Sequence, residues 1–350
     1  MKSMSRHVHL VGSVPLADAR AVFETASRVL GPYLTRIPDG ETGPRLNWIM
    51  WLEPIFAQHP AFELSDETFQ LHSGVARNRR YGLKAGVPIE SVRFDNLFYA
   101  DTARASYETF AALKRAGTIP SQCKFQVDLV PAHSVIWLYV REDLHPAIDP
   151  IFNDAVLREI DKIAAAIPHG ELAIQFDVAS AVFARLERNQ ASSYGASKAE
   201  MQERFTAILS RLANHVPGDI DLLFHFCYGD AGHKHVVEPT DMGDMVDLAH
   251  RLGERITRPI QLIHMPVPRD RSDDAYCAPL ARLKLRPETE VCLGLVHYTD
   301  GVAGSRKRMA TARRFVSDFA IATECGFGRR DPATLPQLLA IHAALAASDE

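Results

Sequence analysis

Residues 219–227 read DIDLLFHFC, a mostly apolar run that ends in a histidine and a cysteine. Short apolar runs of this length are typical of buried strands, and in parallel α/β folds the functional side chains follow the carboxyl ends of the strands. His225 and Cys227 are two residues apart, so an extended backbone points both side chains to the same side of the sheet. This stretch therefore predicts a strand with a polar site at its end.

Seven further runs of this kind alternate with amphipathic segments along the chain. Eight strands with helices between them indicate repeated βαβ units, and we predict an α/β fold, a (β/α)₈ TIM barrel. An open doubly wound sheet gives a similar pattern, and this alternative stays open. The eight predicted strands cover residues 7–12, 34–38, 124–130, 172–177, 219–227, 259–264, 290–297 and 319–325.

The intervening segments repeat apolar residues at spacings of three and four, which is typical of helices. No stretch has the composition of a linker, so we predict a single domain over residues 1–350, with an insertion between strands 2 and 3. A second irregular stretch, residues 266–287, is predicted to be a loop over the barrel mouth. The predicted helices cover residues 17–30, 150–166, 198–214, 242–252 and 304–318, with residues 45–56 and 102–116 inside the insertion.

The composition excludes several classes of protein. With 47% hydrophobic and 23% charged residues, the chain can bury a large core, so disorder is excluded. A net charge of −4 predicts no binding to nucleic acid or to an anionic membrane surface. No apolar stretch has the length of a signal peptide core or a membrane span, so we expect a cytoplasmic protein. Five widely spaced cysteines do not form a disulfide framework.

Polar residues follow the ends of most predicted strands. In a (β/α)₈ barrel these ends meet at one face, where buried polar groups cost free energy unless they bind something. The residues are Ser13, Asp39, Glu41, Asp177, His225, Cys227, His264, His297, Asp300, Glu324 and Cys325.

An imidazole and two thiolates are a ligand set that suits zinc. His225 and Cys227 follow strand 5, and Cys325 follows strand 8, where Gly326 and Gly328 permit the tight turn that a loop ligand needs. Taken alone, a His-x-Cys sequence is also compatible with a packed cysteine and a buried histidine. We interpret the other three cysteines, Cys123, Cys277 and Cys292, as structural.

At these residues the chain resembles the catalytic domain of cobalamin-independent methionine synthase and the wider uroporphyrinogen-decarboxylase-like barrel superfamily. The similarity is spread along the whole length. Five short segments carry it: Val11-Gly-Ser-Val-Pro15, Asp39-Gly-Glu41, Ile174-Gln-Phe-Asp177, His225-Phe-Cys-Tyr-Gly229 and Cys325-Gly-Phe-Gly-Arg-Arg330.

The resemblance implies a zinc ion bound by His225, Cys227 and Cys325. It also implies that Ser13, Glu41 and Asp177 hold the amino-acid end of a homocysteine-like substrate, and Tyr228 is a further candidate for lining that pocket. The family's remaining zinc ligand, a glutamate, is replaced here by His264, which either substitutes as a ligand or leaves a coordination position open. The reserve candidates are Glu238 and His233. Val178 and Ala179 also depart from the family pattern, so the amino-acid pocket is altered.

These observations predict a zinc-dependent methyl or alkyl transferase whose small-molecule partners are a thiol and an alkyl donor. Zinc bound by thiolates lowers the pKa of an incoming thiol. His297 and Asp300 are candidates for protonating the leaving group or binding the donor, and a hydrogen-bonded loop pair without a catalytic role is the alternative. A zinc-dependent hydrolase or lyase, or a non-catalytic barrel with a structural metal, are the alternatives. A homo-oligomer is compatible with each of these functions.

Overall fold

A parallel sheet of seven strands lies at the centre of the fold. The computed structural model describes residues 6–232 and 234–347. These residues form nine strands: β1 (Arg36–Pro38), β2 (Phe62–Phe69), β3 (Asn78–Leu83), β4 (Lys124–Leu129), β5 (Leu172–Val178), β6 (Asp221–Phe226), β7 (Leu262–Pro266), β8 (Glu290–Val296) and β9 (Ala320–Thr323). The sheet order β1-β4-β5-β6-β7-β8-β9 follows the chain, while β2 and β3 form a separate antiparallel hairpin.

Helices connect consecutive strands of the sheet, as the βαβ pattern predicts. Four regular helices lie outside the predicted ranges: α4 (Ala132–Tyr139), α6 (Ser180–Arg188), α9 (Asp274–Cys277) and α11 (Leu335–Ala346). The stretch 266–287, predicted to be an irregular loop, therefore contains a short helix, and the predicted helix 304–318 ends at Ala312. The helices are α1 (Ala19–Leu30), α2 (Glu53–Ala57), α3 (Tyr99–Arg115), α4 (Ala132–Tyr139), α5 (His145–Ala166), α6 (Ser180–Arg188), α7 (Lys198–His215), α8 (Gly243–Arg255), α9 (Asp274–Cys277), α10 (Gly301–Ala312) and α11 (Leu335–Ala346). Over the described ranges, none of them has the length and apolar character needed to cross a membrane.

The first predicted strand, residues 7–12, differs from the other seven. Its one ladder contact among the described residues is a parallel bridge between Val8 and Ile321 of β9. The Val8 N–H also donates to the Tyr33 carbonyl at 2.9 Å, just before β1. Both edges of the sheet therefore meet the same segment, so the sheet is curled, with seven regular strands where eight were predicted.

The core has two parts. Most buried apolar side chains lie between the sheet and the helices, whereas a smaller cluster of mainly small residues fills the inner face of the sheet. The smaller cluster contains Val11, Ala173, Leu223, Leu262, Cys292, Ala320 and Ala322. The strand register then aligns Asp177 with His225 and His225 with His264, so polar side chains of three adjacent strands are brought side by side.

The insertion between β1 and β4 contains more than the two predicted helices. It includes the β2–β3 hairpin, and residues 45–56 form mainly a 3₁₀ helix (Gly43–Leu52) followed by α2. Within that 3₁₀ helix Trp48 has a positive φ of 51°, which is rare for a bulky residue and stores strain. This turn places the Trp48 side chain over the carboxyl ends of the strands.

Candidate metal and substrate site

The structure brings His225, Cys227 and Cys325 together. Their candidate ligand atoms all lie within 4.8 Å of one another, and we call these residues the ligand triad. Ligand atoms that share one zinc ion at about 2.0–2.3 Å lie roughly 3.5–4 Å apart in tetrahedral geometry. The triad therefore fits a zinc ion after a movement of about 1 Å, and its nitrogen and sulfur donors are those that zinc prefers.

Backbone contacts position the two cysteines. The Cys227 N–H donates to the Val178 carbonyl at 3.0 Å, and the Gly229 N–H donates to the Cys227 sulfur at 3.2 Å. Cys325 follows β9 in a loop that packs on Ser13: the Phe327 N–H donates to the Ser13 carbonyl and the Gly328 N–H donates to its hydroxyl oxygen. The ends of the fifth and eighth predicted strands thus supply the three residues of the ligand triad.

Arg329 provides the positive charge beside the two thiols. Its Nη2 lies 3.4 Å from the Cys325 sulfur and 3.3 Å from an oxygen of Asp230. A hydrogen bond from Cys227, together with the Arg329 charge, lowers the pKa of Cys325, whereas the same hydrogen bond and burial raise the pKa of Cys227. Cys325 is therefore the first of the two thiols to ionise.

We predict that Gly328→Ala disrupts the loop that carries Cys325. A Cβ at this position would lie 2.7 Å from the Ser13 Cβ and would overlap the Leu46 carbonyl oxygen. Overpacking of this kind costs about 1–3 kcal/mol, measurable by urea unfolding. Gly218→Ala is the control, because a Cβ there would have no atom within 4 Å. Equal stability of the two variants would contradict this account.

Three buried carboxyl groups lie beside the triad: Glu41, Asp128 and Asp177, which we call the carboxyl cluster. Glu41 belongs to a turn in which it has a φ of 45°, held by a hydrogen bond from its N–H to Asp39. A Cβ on Gly12 would lie 3.0 Å from Asp128 Oδ2 and 3.3 Å from Glu41 Oε2, so these two carboxyl groups converge on that glycine.

Asp128 was not predicted as a site residue, although a repeated sequence pattern points to it. Asp177 follows Gln175 by two residues, and the Gln175 amide donates to Asp177 Oδ1 at 3.0 Å. Asp128 follows Gln126 in the same way, and the Gln126 amide donates to Asp128 Oδ1 at 2.9 Å. The repeated Gln-x-Asp on β4 and β5 therefore marks two equivalent positions at neighbouring strand ends.

Burial is the main reason that the pKa values of all three carboxyl groups are raised, and their mutual repulsion adds to it for Glu41 and Asp128. No described basic side chain forms a salt bridge with them, since Arg45 pairs with Asp39 and Arg329 with Asp230. The carboxyl cluster therefore has no salt-bridge partner among the described side chains, and a bound cation would supply one.

The raised pKa values predict a pH dependence of stability. An acid whose folded pKa is raised ionises first in the unfolded chain, so stability falls as pH increases from the unfolded pKa through the folded pKa. Asp128→Asn removes one such group and keeps an oxygen for Gln126. We expect the slope of the unfolding free energy above pH 5 to become shallower, by at most about 1.4 kcal/mol per pH unit. Urea unfolding at several pH values tests this, and an unchanged slope would contradict it.

The triad and two members of the carboxyl cluster, Glu41 and Asp177, open onto one cleft. Ser13, Glu41, Asp177 and the three triad residues all line it. Much of the remaining wall is apolar, and the only basic side chain among the described lining residues is Arg329. The apolar wall is formed by Trp48, Ile49, Met50, Leu71, Trp137, Leu138 and Val236.

Four predicted site residues lie outside this cleft, and Tyr228 and His264 are two of them. Tyr228 is buried behind it, where its hydroxyl lies 3.0 Å from that of Tyr276 and its ring packs against Phe183; this placement differs from the predicted substrate contact. His264 is not a member of the ligand triad, because its ring nitrogens contact His225 and the Thr323 carbonyl.

His297 lines a second, more polar cleft, which adjoins the first at Asp230. Its Nδ1 lies 3.7 Å from Glu324 and its Nε2 contacts the Val267 carbonyl. Asp300 lines neither cleft. Its two carboxylate oxygens each accept a hydrogen bond from Arg308, so that the pair is a structural contact at the start of α10.

The reserve metal ligands do not join the triad in the described part of the chain. Glu238 instead accepts a hydrogen bond from His235 at 2.9 Å. His233 lies outside the described residues.

Comparison with known proteins finds similarity in structure. No family model matches the chain, and no curated protein matches it in sequence. A solved candidate vitamin-B12-independent methionine synthase from Listeria monocytogenes matches with a TM-score of 0.57 at 14% identity, over 99% of this chain and 98% of the other. A B12-independent methionine synthase from Shewanella sp. W3-18-1, solved with selenomethionine, matches with a TM-score of 0.61 at 16% identity, over 98% and 97%. At these identities the similarity establishes the fold.

Proposed function

We propose that this chain is a zinc-dependent transferase that moves a methyl or other alkyl group from a donor to the sulfur of a thiol substrate. The observation that carries the proposal is the presence of the ligand triad and of two buried carboxyl groups, Glu41 and Asp177, in one cleft. The structural neighbours, described as methionine synthases, support a methyl transferase of this kind. A purely structural metal would not require the carboxyl cluster beside it.

When bound, zinc with imidazole and thiolate ligands lowers the pKa of a further thiol ligand, so that a thiolate exists at neutral pH. The residues of the chain position the reactants. Glu41 and Asp177 bind the ammonium group of an aminothiol, and Arg329 offsets negative charge near Cys325. The substrate sulfur then forms a bond to the alkyl carbon while the bond from that carbon to the donor breaks, and the leaving group retains the electron pair.

The lining of the cleft restricts the donor. Its wall is mostly apolar, and Arg329 is already hydrogen bonded to Asp230 and Cys325. A donor with several anionic groups would therefore leave them without cationic partners inside the cleft. We infer a donor whose reactive end is apolar. His297, beside Glu324 in the second cleft, is proposed as the group that protonates the leaving group.

We also propose that the barrel is complete. Residues 7–12 then supply one more strand, between β9 and β1, in addition to the seven regular strands of the sheet. Supporting contacts are the backbone hydrogen bonds of Val8 to Tyr33 and of His9 to Ile321, both at 2.9 Å. This position for the segment explains why Ser13, which directly follows it, lines the same cleft as residues from β5 and β6.

Calorimetric titration of the zinc-loaded protein with homocysteine and with homoserine tests the function. The two ligands differ only in sulfur against oxygen, so we expect homocysteine to bind at least about 100-fold more tightly, since a soft thiolate ligand suits zinc, and to release a proton. Metal-free protein is the control and should bind both equally. Equal affinities for the zinc-loaded protein would contradict thiol activation and favour a structural metal.

A further inference from the structure

His264 lies beside a member of the ligand triad without facing the cleft. It is aligned with His225 in the register of β6 and β7, and the Nδ1 atoms of the two rings are 2.8 Å apart. The second ring nitrogen of His264, Nε2, is 3.0 Å from the carbonyl oxygen of Thr323. The two histidines are 2% and 0% exposed, so water cannot replace either partner.

The direction of these hydrogen bonds follows from elementary chemistry. A carbonyl oxygen only accepts, so the contact with Thr323 requires a proton on His264 Nε2. In the described part of the chain no carboxylate forms a hydrogen bond or salt bridge with either ring, and both rings are buried. A charged imidazolium buried without such a partner costs too much free energy to form. Both rings are therefore neutral, with one N–H each.

Neutral His264 with its proton on Nε2 has a lone pair on Nδ1. The short contact between the two Nδ1 atoms then requires His225 to donate its Nδ1–H. His225 is left with an unprotonated Nε2, and a metal ligand needs such a lone pair.

We propose that His264 is a positioning residue that fixes the tautomer and ring orientation of His225, so that His225 offers Nε2 to the metal. This inference rests on the proposed function, because it assumes that His225 is a ligand. Metal-binding histidines usually donate their other N–H to a carboxylate, a carbonyl or water. Here the imidazole of His264 accepts this hydrogen bond. Its own hydrogen bond to the Thr323 carbonyl fixes the ring to the backbone of β9.

Two neighbouring residues show that this arrangement is built into the fold. A Cβ on Gly294 of β8 would lie 2.6 Å from His264 Nε2 and 2.8 Å from the Thr323 carbonyl oxygen, so glycine leaves room for their hydrogen bond. The Thr323 hydroxyl donates to the Cys325 carbonyl at 2.7 Å. Thr323 therefore fixes both the ring that orients His225 and the loop that carries Cys325.

The tautomer is measurable by long-range ¹⁵N–¹H NMR of the full chain with labelled histidine, without metal, with the His225 signal assigned from His225→Gln. We expect a protonated Nδ1 and an unprotonated Nε2 in the wild type. His264→Asn retains an acceptor near the position of Nδ1 and should preserve this tautomer, whereas His264→Leu should lose it. A proton on His225 Nε2 in the wild type would overturn the proposal.

Zinc affinity, measured by competition with a chelator, gives a second readout. Loss of a partner of this kind costs about 10–100-fold in metal affinity, so we expect that loss for His264→Leu and Gly294→Ala, and a smaller one for His264→Asn. His133→Leu is the control, since His133 is equally buried and its ring nitrogens have no hydrogen-bond partner. An unchanged affinity in His264→Leu would overturn the proposal, as would a loss as complete as that in Cys227→Ser, which would indicate direct coordination.

The two proposals fail separately. If the wild type binds no zinc, the proposed function is wrong, while the NMR measurement on the metal-free chain still decides the tautomer. If His264→Leu does not fold, the wild-type tautomer and the His264→Asn variant still decide it.

Discussion

Replacing Cys227 or Cys325 with serine is expected to remove zinc from the purified chain. Both sulfur atoms belong to the ligand triad, and no other described histidine, cysteine or carboxylate completes a second group of this kind. If the three ligands share a binding free energy of about 10 kcal/mol evenly, each contributes about 3 kcal/mol, or more than a hundredfold in affinity. Protein purified without added metal should contain about one zinc per chain in the wild type and almost none in either variant.

Cys123→Ser is the matched control for these variants. Cys123 is also buried, but its sulfur donates to the Leu34 carbonyl, and a serine hydroxyl can make the same hydrogen bond. Its metal content should equal that of the wild type, as determined by elemental analysis. Zinc that persists in both triad variants, or is absent from the wild type, would contradict the assignment and leave a fold without this chemistry.

Substitution of Asp177 by asparagine is expected to weaken binding of an aminothiol by about 100- to 4000-fold, because breaking a buried charge pair costs about 3–5 kcal/mol. Asp177 is held by Gln175 and by the indole N–H of Trp48, and asparagine keeps an oxygen for one of these donors. The loss should therefore be electrostatic and should leave the fold intact.

The dependence on the ammonium group is tested by comparing homocysteine with 4-mercaptobutanoic acid, which lacks it. The wild type should discriminate strongly between these thiols in calorimetric titrations, and Asp177→Asn should discriminate weakly. Asp66→Asn, which changes a fully exposed carboxylate, is the control. Equal weakening of both thiols by Asp177→Asn would indicate that Asp177 supports the cleft without binding the ammonium group.

The sequence predicted the sheet well because its parallel strands are buried on both sides and read as apolar runs. It failed for β2, since that strand belongs to a hairpin and carries charged residues such as Glu63 and Asp66 that remain at least partly exposed. It also failed for α4, whose residues are buried on every side. A helix without a polar face has no periodicity to detect.

The sequence could indicate which residues lie close together where they stand at or just after the end of a strand. His225, Cys227 and Cys325 could be grouped because strand order determines which strand ends share a rim. Hydrogen-bond partners could not be predicted in this way. Asp300, which precedes α10, pairs with Arg308 in the middle of that helix, and the role of His264 depends on a carbonyl group of β9. Such contacts depend on how the elements pack in three dimensions, and the spacing of residues along the chain does not predict this packing.

Besides its backbone hydrogen bonds at the two edges of the sheet, the segment before Ser13 is attached to the sheet by two glutamine side chains. Gln126 donates to the Leu10 carbonyl and Gln175 to the Val11 carbonyl, while the same two amides hold Asp128 and Asp177. Local unfolding of this segment would therefore release the carboxyl cluster as well. By thermodynamic linkage, a cation bound to that cluster protects the segment from opening, so that amide hydrogen exchange near the amino terminus reports whether the cleft is filled.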